Sequence, residues 1–350
     1  MRHHQRYERG ECPSLRCYLF LPFLVTAMLV GNIWADEVAP NAKHTNLAIT
    51  YGFSGGRFGD NLLSLAHATW LSHTLGVPLV YAPFPFSDRL KLHTHPDVLR
   101  ANDIANYDMQ SLWTGAEYLK FFKFLSSGDV SRKTVFKLGY YPEALEQYDT
   151  HWWLPQHMYV NWDDPVFLQR LRSYIAPVHP LPKLTLPKDR TTVALHVRKG
   201  GDFDPKGWET ACPLISPPDT FYVEALNLLH SVIDKPLYVF IFTDHLNPSE
   251  IREKMAAAFK GTDIIFECRK ERVSDILEDF FAMGDFDCLI RAGSNFSLLV
   301  SHLFPFKVVV SPLRALQVDQ NTIMVDRILL EMGPRDNLKD PMRVILRKDQ

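Results

Sequence analysis

The chain has 350 residues, 46% of them hydrophobic and 22% charged, and a formal net charge of −2 at pH 7. This composition is typical of a globular protein and excludes a mainly disordered chain, while the length favours two domains over a single hydrophobic core. The nearly neutral charge argues against binding to nucleic acid or to a membrane surface by bulk charge, so no nucleic-acid partner is expected.

Residues 1–36 are predicted to be a targeting segment. Several arginines precede an apolar stretch, Cys17 to Val30, which is short for a full membrane span and typical of a signal-peptide core. Because Ile33-Trp34-Ala35 is a poor cleavage site, an uncleaved single-pass signal anchor is the second interpretation, and a buried core helix is the third. We expect a protein attached to a membrane, in the Golgi lumen if the cell is eukaryotic, or exported after cleavage. Residues 37–46 would form a linker.

The pattern that follows is that of a βαβ unit. A strand at Leu47 to Tyr51 leads into a glycine-rich loop that ends near Asn61, and an apolar stripe from Leu62 to Leu71 predicts a helix. Val77 to Tyr81 is the next predicted strand. The loop would lie at the ligand-binding edge of a sheet, although its glycines lack the spacing of the dinucleotide-binding G-x-G-x-x-G pattern.

Residues 83–187 form an irregular region that is rich in aromatic side chains and helical in parts. These side chains could line a sugar-binding cleft or simply form core. Four prolines within 177–187 predict a linker between domains. We therefore predict an N-terminal α/β domain at 47–187, a second domain at 188–335 and a tail at 336–350.

Strands and helices alternate regularly in the second half of the chain. The predicted strands are 192–197, 237–242, 263–266, 287–290 and 308–311, and the predicted helices are 221–233, 249–259, 274–283 and 296–304. Repeated strand-then-helix order predicts a doubly wound parallel sheet that is covered on both faces. The predicted fold class is α/β, with two Rossmann-like domains facing a cleft.

The first strand of this series ends in the segment His196-Val197-Arg198-Lys199-Gly200-Gly201-Asp202. In open α/β sheets, ligands bind beyond the carboxyl ends of the strands. Arginine holds phosphate oxygens with two parallel hydrogen bonds, lysine acts as a point charge, and glycine lets the backbone approach a ligand. The segment therefore predicts a site for a phosphorylated ligand, and a solvated charged turn is the alternative.

Two later strand ends carry polar groups as well. Asp244 follows the second strand of the series and could contact a base or a ribose. Ser294 and Asn295 open the last predicted helix, where either residue could serve as the N-cap. The same helix N-terminus could also bind phosphate oxygens.

Four segments of the chain, in order, resemble motifs of the α1,2-fucosyltransferases. Residues 196–202 resemble the family's His-Val-Arg-Arg-Gly-Asp motif, which is shared more loosely with α1,6- and protein O-fucosyltransferases. Residues 55–61 resemble its Gly-Gly-x-x-Gly-Asn-Gln loop, residues 242–245 its Phe-Ser-Asp-Asp element and residues 293–297 its Asn-Ser-Ser-Phe-Ser segment. The chain departs from these motifs by a lysine in place of the second arginine, by the extra Gly201, by an Asp-Asn pair at 60–61 and by a histidine at 245.

The resemblance implies a GT-B-like fold and an inverting transfer of fucose from GDP-fucose to a glycan acceptor, with no metal and no other cofactor. It also implies that the domain at 47–187 is the acceptor side and that the domain at 188–335 binds the nucleotide sugar. It implies that Arg198 binds the diphosphate and stabilises the charge of the departing GDP. The other donor-binding residues that it implies are His196, Lys199, Asp244, Ser294, Asn295, Gly55, Gly56, Arg57 and Asn61.

A general base is required if the acceptor hydroxyl is deprotonated during attack, and the candidates are Asp202, Asp204 and Glu209. The Asp-x-Asp tripeptides at 202–204 and 285–287 also match metal-dependent glycosyltransferases. Because the Arg-Lys pair already supplies positive charge, we expect no metal. Two other functions stay open: an inactive relative that binds nucleotide or glycan, and an enzyme of the same fold that uses another nucleotide sugar.

Overall fold

The computed structural model describes residues 46–52, 56–112, 117, 121, 132–139, 160–200, 212–269, 275–317, 323–333 and 342–347. The chain divides into two compact units, Met1–Glu37 and Val38–Gln350, and all of the described residues belong to the second. The domain boundaries given above stay predictions.

The first half of this unit is built on a five-stranded parallel sheet with strand order β3-β2-β1-β5-β4. Its strands are β1 Leu47–Tyr51, β2 Leu79–Val80, β3 Val98–Leu99, β4 Asp108–Leu112 and β5 Thr134–Leu138, and its helices are α1 Phe58–Leu75 and α2 Pro165–Ile175. The central strand β1 is buried along its whole length, as a strand covered on both faces must be. Helix α1 ends where Gly76 adopts the left-handed conformation, a common helix stop.

A seven-stranded sheet with the order β12-β11-β10-β9-β6-β7-β8 forms the second half. Its strands are β6 Thr191–Val197, β7 Leu237–Thr243, β8 Ile264–Cys268, β9 Cys288–Ile290, β10 Val308–Gln317, β11 Ile323–Met332 and β12 Met342–Arg347, and its helices are α3 Asp219–Val232, α4 Pro248–Ala258, α5 Ile276–Met283 and α6 Asn295–Leu303. Five neighbouring strands of this sheet run parallel to one another: β10, β9, β6, β7 and β8. The predicted α/β class with a doubly wound parallel sheet is confirmed.

Alternating side chains of the second sheet enter two different cores. On one face, Val193 and Leu195 of β6 pack with α3 and α4. On the other face, Ala194 packs in a core that includes α5, α6 and the helices of the first sheet. This second core joins the two halves, and the rings of Phe58 and Phe280, one from each half, lie 5.9 Å apart within it.

Two sequence predictions need correction. The irregular region at 83–187 contains three strands, β3 to β5, of which β3 has only two residues and is too short to produce a period in the sequence. The strand series does not close at 311, because β10 runs on to Gln317 and pairs antiparallel with β11, which pairs with β12 inside the predicted tail. Because proline is unusual within a strand, Pro312 predicts that the strand ends there. The pairing of β10 with β11 is irregular next to Pro312, and a proline is tolerated at such an irregularity.

Among the residues that the structure describes, no helix has the length and apolarity needed to cross a membrane. The predicted apolar segment at 17–30 lies outside those residues.

Candidate functional site

The site lies where the winding of the second sheet changes direction. β6 and β9 are neighbours, but α3, which follows β6, packs on one face, and α6, which follows β9, packs on the other. A crevice at the carboxyl ends of such a strand pair is where open α/β sheets bind ligands. Arg198 follows β6 directly and Ser294 lies four residues beyond the end of β9, so both predicted residues reach this crevice. The Arg198 guanidinium donates to the Ser294 hydroxyl at 3.4 Å.

The N-terminus of α6 lies at this carboxyl edge of the sheet. Ser294 is its N-cap, and its hydroxyl accepts from the Phe296 N–H at 3.4 Å. The structure thus confirms the capping role. The dipole of a helix also favours an anion at its N-terminus. Gly59 of α1 approaches this turn so closely that a Cβ atom at position 59 would lie 2.5 Å from the Phe296 nitrogen.

The backbone of Arg198 is fixed from two sides. Its N–H donates to the hydroxyl of Tyr222 in α3 at 3.3 Å, and the Ser216 hydroxyl donates to its carbonyl at 2.9 Å. Tyr222 is fully buried. The backbone that carries the Arg198 side chain is therefore fixed. Less conformational entropy is then lost when the guanidinium binds an anion.

Asp244 holds the turn after β6. One carboxylate oxygen accepts from the N–H groups of both Lys199, at 2.7 Å, and Gly200, at 3.1 Å. Gly200 has a φ of 81°, which glycine adopts without strain. The other oxygen forms an ion pair with Arg57 of the first half at 3.1 Å. Burial acts to raise the pKa of Asp244, but the Lys199 N–H and the charge of Arg57 outweigh it and hold that pKa below the usual range.

Asp244 thus links the two halves of the molecule and shapes the turn that carries the cations. Its carboxylate is engaged by protein groups in this structure, and the expected contact with a base or ribose stays a prediction.

The ammonium group of Lys199 lies 2.6 Å from the carboxylate of Asp219, the first residue of α3. The side chain is only 14% exposed. The Lys199 side chain is therefore directed at Asp219. Contact between Lys199 and a diphosphate stays a prediction, and it requires the ammonium group to leave Asp219 for the phosphate.

Among the described site residues with an ionisable side chain, His196 is the most buried. Its Nδ1 lies 2.8 Å from the hydroxyl of Ser297 in α6, and its ring lies 5.7 Å from that of Phe296. Burial, helped by the cations around it and opposed by Asp244, lowers the pKa of His196 to about 4. The ring is therefore neutral at pH 7 and joins β6 to α6 as a hydrogen-bonding group.

The first half contributes the start of α1. The Asn295 side-chain amide donates to one oxygen of Asp60 at 2.7 Å, and the Arg57 N–H donates to the other at 2.9 Å. Asn61 is buried behind them, and the Cα of Gly56 faces the Asp60 side chain so closely that a Cβ there would collide with it. Arg57, Gly56 and Asn295 therefore meet at Asp60, and the predicted contacts of these residues and of Asn61 with a donor stay a prediction.

Sequence reasoning missed three residues that complete this arrangement: Asp60, Asp219 and Ser297. Asp60 and Ser297 lie inside the segments that resemble family motifs, so their position in the motif could have indicated them. Asp219 carries no such signal, because only the fold brings it to Lys199.

Four predicted residues lie outside the described part of the chain: Gly55, Asp202, Asp204 and Glu209. Of the two Asp-x-Asp tripeptides, the one at 285–287 lies at the opposite, amino end of β9. There Asp287 accepts from the backbone and hydroxyl of Thr192 and pairs with Lys307 at 2.6 Å, so it is engaged away from the crevice. No group of three or more His, Cys, Asp or Glu side chains that could hold a metal occurs within the described ranges.

No family model and no curated protein matches the chain. Among solved structures it is similar to a mutant of Arabidopsis thaliana FUT1 in complex with GDP, with a TM-score of 0.49 and 11% identity over 84% of this chain and 80% of that chain. It is also similar to POFUT1 in complex with GDP-fucose, with a TM-score of 0.44 and 14% identity over 76% of this chain and 95% of that chain. A third similar structure is NodZ alpha-1,6-fucosyltransferase soaked with GDP-fucose, with a TM-score of 0.40 and 14% identity over 87% of this chain and 99% of that chain. Because all three TM-scores lie below 0.5, any function has to rest on the site residues themselves.

Proposed function

We propose that this chain is an inverting glycosyltransferase of GT-B-like fold that transfers fucose from GDP-fucose to a glycan hydroxyl, with α1,2 linkage. The observation that carries the proposal is the meeting of Arg198 with the N-terminus of α6 at the point where the second sheet changes winding direction. That arrangement suits a diphosphate. The four ordered segments that resemble fucosyltransferase motifs support GDP-fucose as the donor.

In this proposal the leaving group is the diphosphate of GDP, and negative charge grows on it as the bond to the sugar carbon breaks. Arg198 and the N–H groups of α6 stabilise that charge where it develops, in a crevice whose groups are already positioned. The neutral ring of His196 and the Asp244 carboxylate keep the surrounding strands and turn in place. Asp202, Asp204 and Glu209 are the proposed candidates for the base that takes the acceptor proton.

A donor panel tests the proposal. The full chain is incubated with GDP-fucose, GDP-mannose and UDP-galactose while melting temperature, donor hydrolysis and transfer to glycans are measured. GDP-fucose should raise the melting temperature most, because a ligand that binds only the folded state stabilises it in proportion to its affinity. A larger shift and turnover with another donor would identify that donor instead. A shift with GDP but no turnover of any donor would make the chain an inactive binding relative.

We propose, further, that residues 1–36 attach the enzyme to a membrane or direct its export. Expression with a C-terminal tag, followed by alkaline extraction of membranes, tests this. Tagged protein that stays in the cytosol at full length would contradict it.

A further inference from the structure

The chain leaves β2 through a tight turn, Phe84-Pro85-Phe86-Ser87, at the carboxyl edge of the first sheet. The Ser87 N–H donates to the Phe84 carbonyl at 2.9 Å, and Phe86 has a φ of 69° and a ψ of 1°. These torsions define the third position of a type II turn, where proline often precedes and glycine is normally required. Phe86 is the one non-glycine residue with a positive φ among those described. A bulky side chain in this conformation is strained.

The surroundings of the turn enforce this conformation. The Ser87 hydroxyl, which is buried, lies 2.9 Å from the Phe84 nitrogen and 2.6 Å from the Phe84 carbonyl oxygen, and the Tyr81 hydroxyl is 2.9 Å from it. Arg89, just after the turn, pairs with Asp275 of the second half. The fold thus holds Phe86 where glycine would be relaxed, and strain that is held in this way is often found at binding sites.

The ring of the strained residue is exposed to solvent on one side and contacts the core on the other. Phe86 is 43% exposed, whereas Phe84 in the same turn is 7% exposed. The Phe86 ring makes an edge contact with Phe58 at 6.1 Å, and the Phe58 ring lies 6.5 Å from that of Phe296, in the first turn of α6. The exposed ring therefore lies two ring contacts away from the helix end that we assign to the diphosphate.

We propose that Phe86 is a specificity-determining residue whose exposed ring stacks against the apolar face of a pyranose in the acceptor glycan. This inference rests on the proposed function. A pyranose carries a face of C–H groups that suits a flat aromatic surface, and a few placed polar groups then fix its orientation. Glycine would satisfy the turn, so a phenylalanine held there under strain, and exposed, is explained by use of its ring.

Saturation-transfer NMR on the full chain without donor tests this proposal, with methyl β-galactopyranoside and methyl β-glucopyranoside as probes. Wild-type protein should transfer saturation to the ring C–H protons of at least one probe. Phe86→Gly and Phe86→Asn, both of which accept the torsions, should lose that transfer. Met109→Ala, which shortens an exposed apolar side chain on β4, should keep it. Absence of transfer to the wild type, or equal transfer to Phe86→Gly, would overturn the proposal.

Two melting measurements separate this role from others. Phe86→Gly should melt at or above the wild-type temperature because the strain is relieved, whereas Phe84→Ala, which empties a core position, should melt lower. An equal drop in melting temperature in Phe86→Gly and Phe84→Ala would make Phe86 a packing residue and overturn the proposal. The Phe86 variants should also keep the shift produced by GDP-fucose. If the wild type binds the pyranosides but its melting temperature does not change with any nucleotide sugar, the proposed function fails, whereas the proposed stacking of a sugar on Phe86 stands.

Discussion

The two sheets of this protein are both built largely of parallel strands but carry different chemistry at their carboxyl edges. The second sheet ends in Arg198 and in the N-terminus of α6, which together suit an anion. The first sheet ends, after β2, in a turn that exposes an aromatic ring at Phe86. This difference fits the division of labour that we propose, in which one half binds a nucleotide diphosphate and the other a sugar. Arg57 and Asp60 of the first half, paired with Asp244 and Asn295, join the two edges.

The largest expected effect is the loss of Arg198, because it removes the cation at the developing charge. We expect Arg198→Ala to lower kcat by about 100- to 1,000-fold, as the loss of one such stabilising donor does in other enzymes. Steady-state transfer assays measure it. Arg190→Ala is the matched control, since Arg190 pairs with Asp263 at the amino edge of the same sheet and should leave kcat unchanged. An equal loss in both variants would contradict a specific role for Arg198.

A methyl group at position 59 should disturb the contact between the halves. In Gly59→Ala the new Cβ would meet the Phe296 backbone, so the two helix ends must separate, at a cost of about 1–3 kcal/mol in the free energy of unfolding. Gly76→Ala is the control, because it costs about 1–2 kcal/mol through left-handed strain but meets no atom within 4 Å. Urea unfolding and GDP titration should show that both variants are less stable and that only Gly59→Ala binds GDP more weakly. Unchanged GDP affinity in Gly59→Ala would show that the contact between Gly59 and α6 does not affect the GDP site.

The buried His196 should make the free energy of unfolding depend on pH. Its pKa is about 4 in the folded state, below the ordinary value of 6.5, so the unfolded chain binds more protons between these values. The protein should therefore lose stability as the pH falls from 6.5 to 4, by at most about 3 kcal/mol from this group. Urea midpoints of wild type and His196→Gln at pH 7 and pH 5 measure the difference. The same fall in both proteins would assign the effect to other ionisable groups.

The smallest effect concerns the pair of Lys199 and Asp219. In Asp219→Asn the ammonium loses its partner and can turn toward the crevice, so we expect GDP to bind about twofold to fivefold more tightly at low salt, the range of a part-exposed ion pair. The control is Glu250→Gln, which removes a neighbouring carboxylate that contacts only Lys254 in the described ion pairs. Weaker GDP binding in Asp219→Asn would show that the pair positions the turn and does not withhold Lys199 from the ligand.

Sequence reasoning succeeded where a local pattern repeats and failed where contacts are distant. The parallel part of the second sheet could be predicted because its strands are apolar and are separated by amphipathic helices. In the first sheet, β1 and β2 lie within predicted strands. β3 has only two residues and four of the five residues of β4 are exposed, so no apolar period marks those two strands.

The same contrast holds within the site. Arg198 and Ser294 could be predicted because each follows a strand directly or opens a helix. The pairing of Arg57 with Asp244 could not, since 187 residues separate them and only the packing of α1 against α6 brings them together. The strained conformation of Phe86 could not be predicted either, because the sequence Pro-Phe does not by itself specify a turn in which glycine would be preferred.

Calorimetric titration of GDP and of guanosine into wild type and Arg198→Ala tests the central claim, that the crevice between β6 and β9 binds a diphosphate. Guanosine carries the base and ribose without phosphate, so it isolates the phosphate contribution. We predict that the substitution weakens GDP binding by about 10- to 100-fold, the value of charged hydrogen bonds, and leaves guanosine binding unchanged. Equal affinity of the two proteins for GDP would contradict the account.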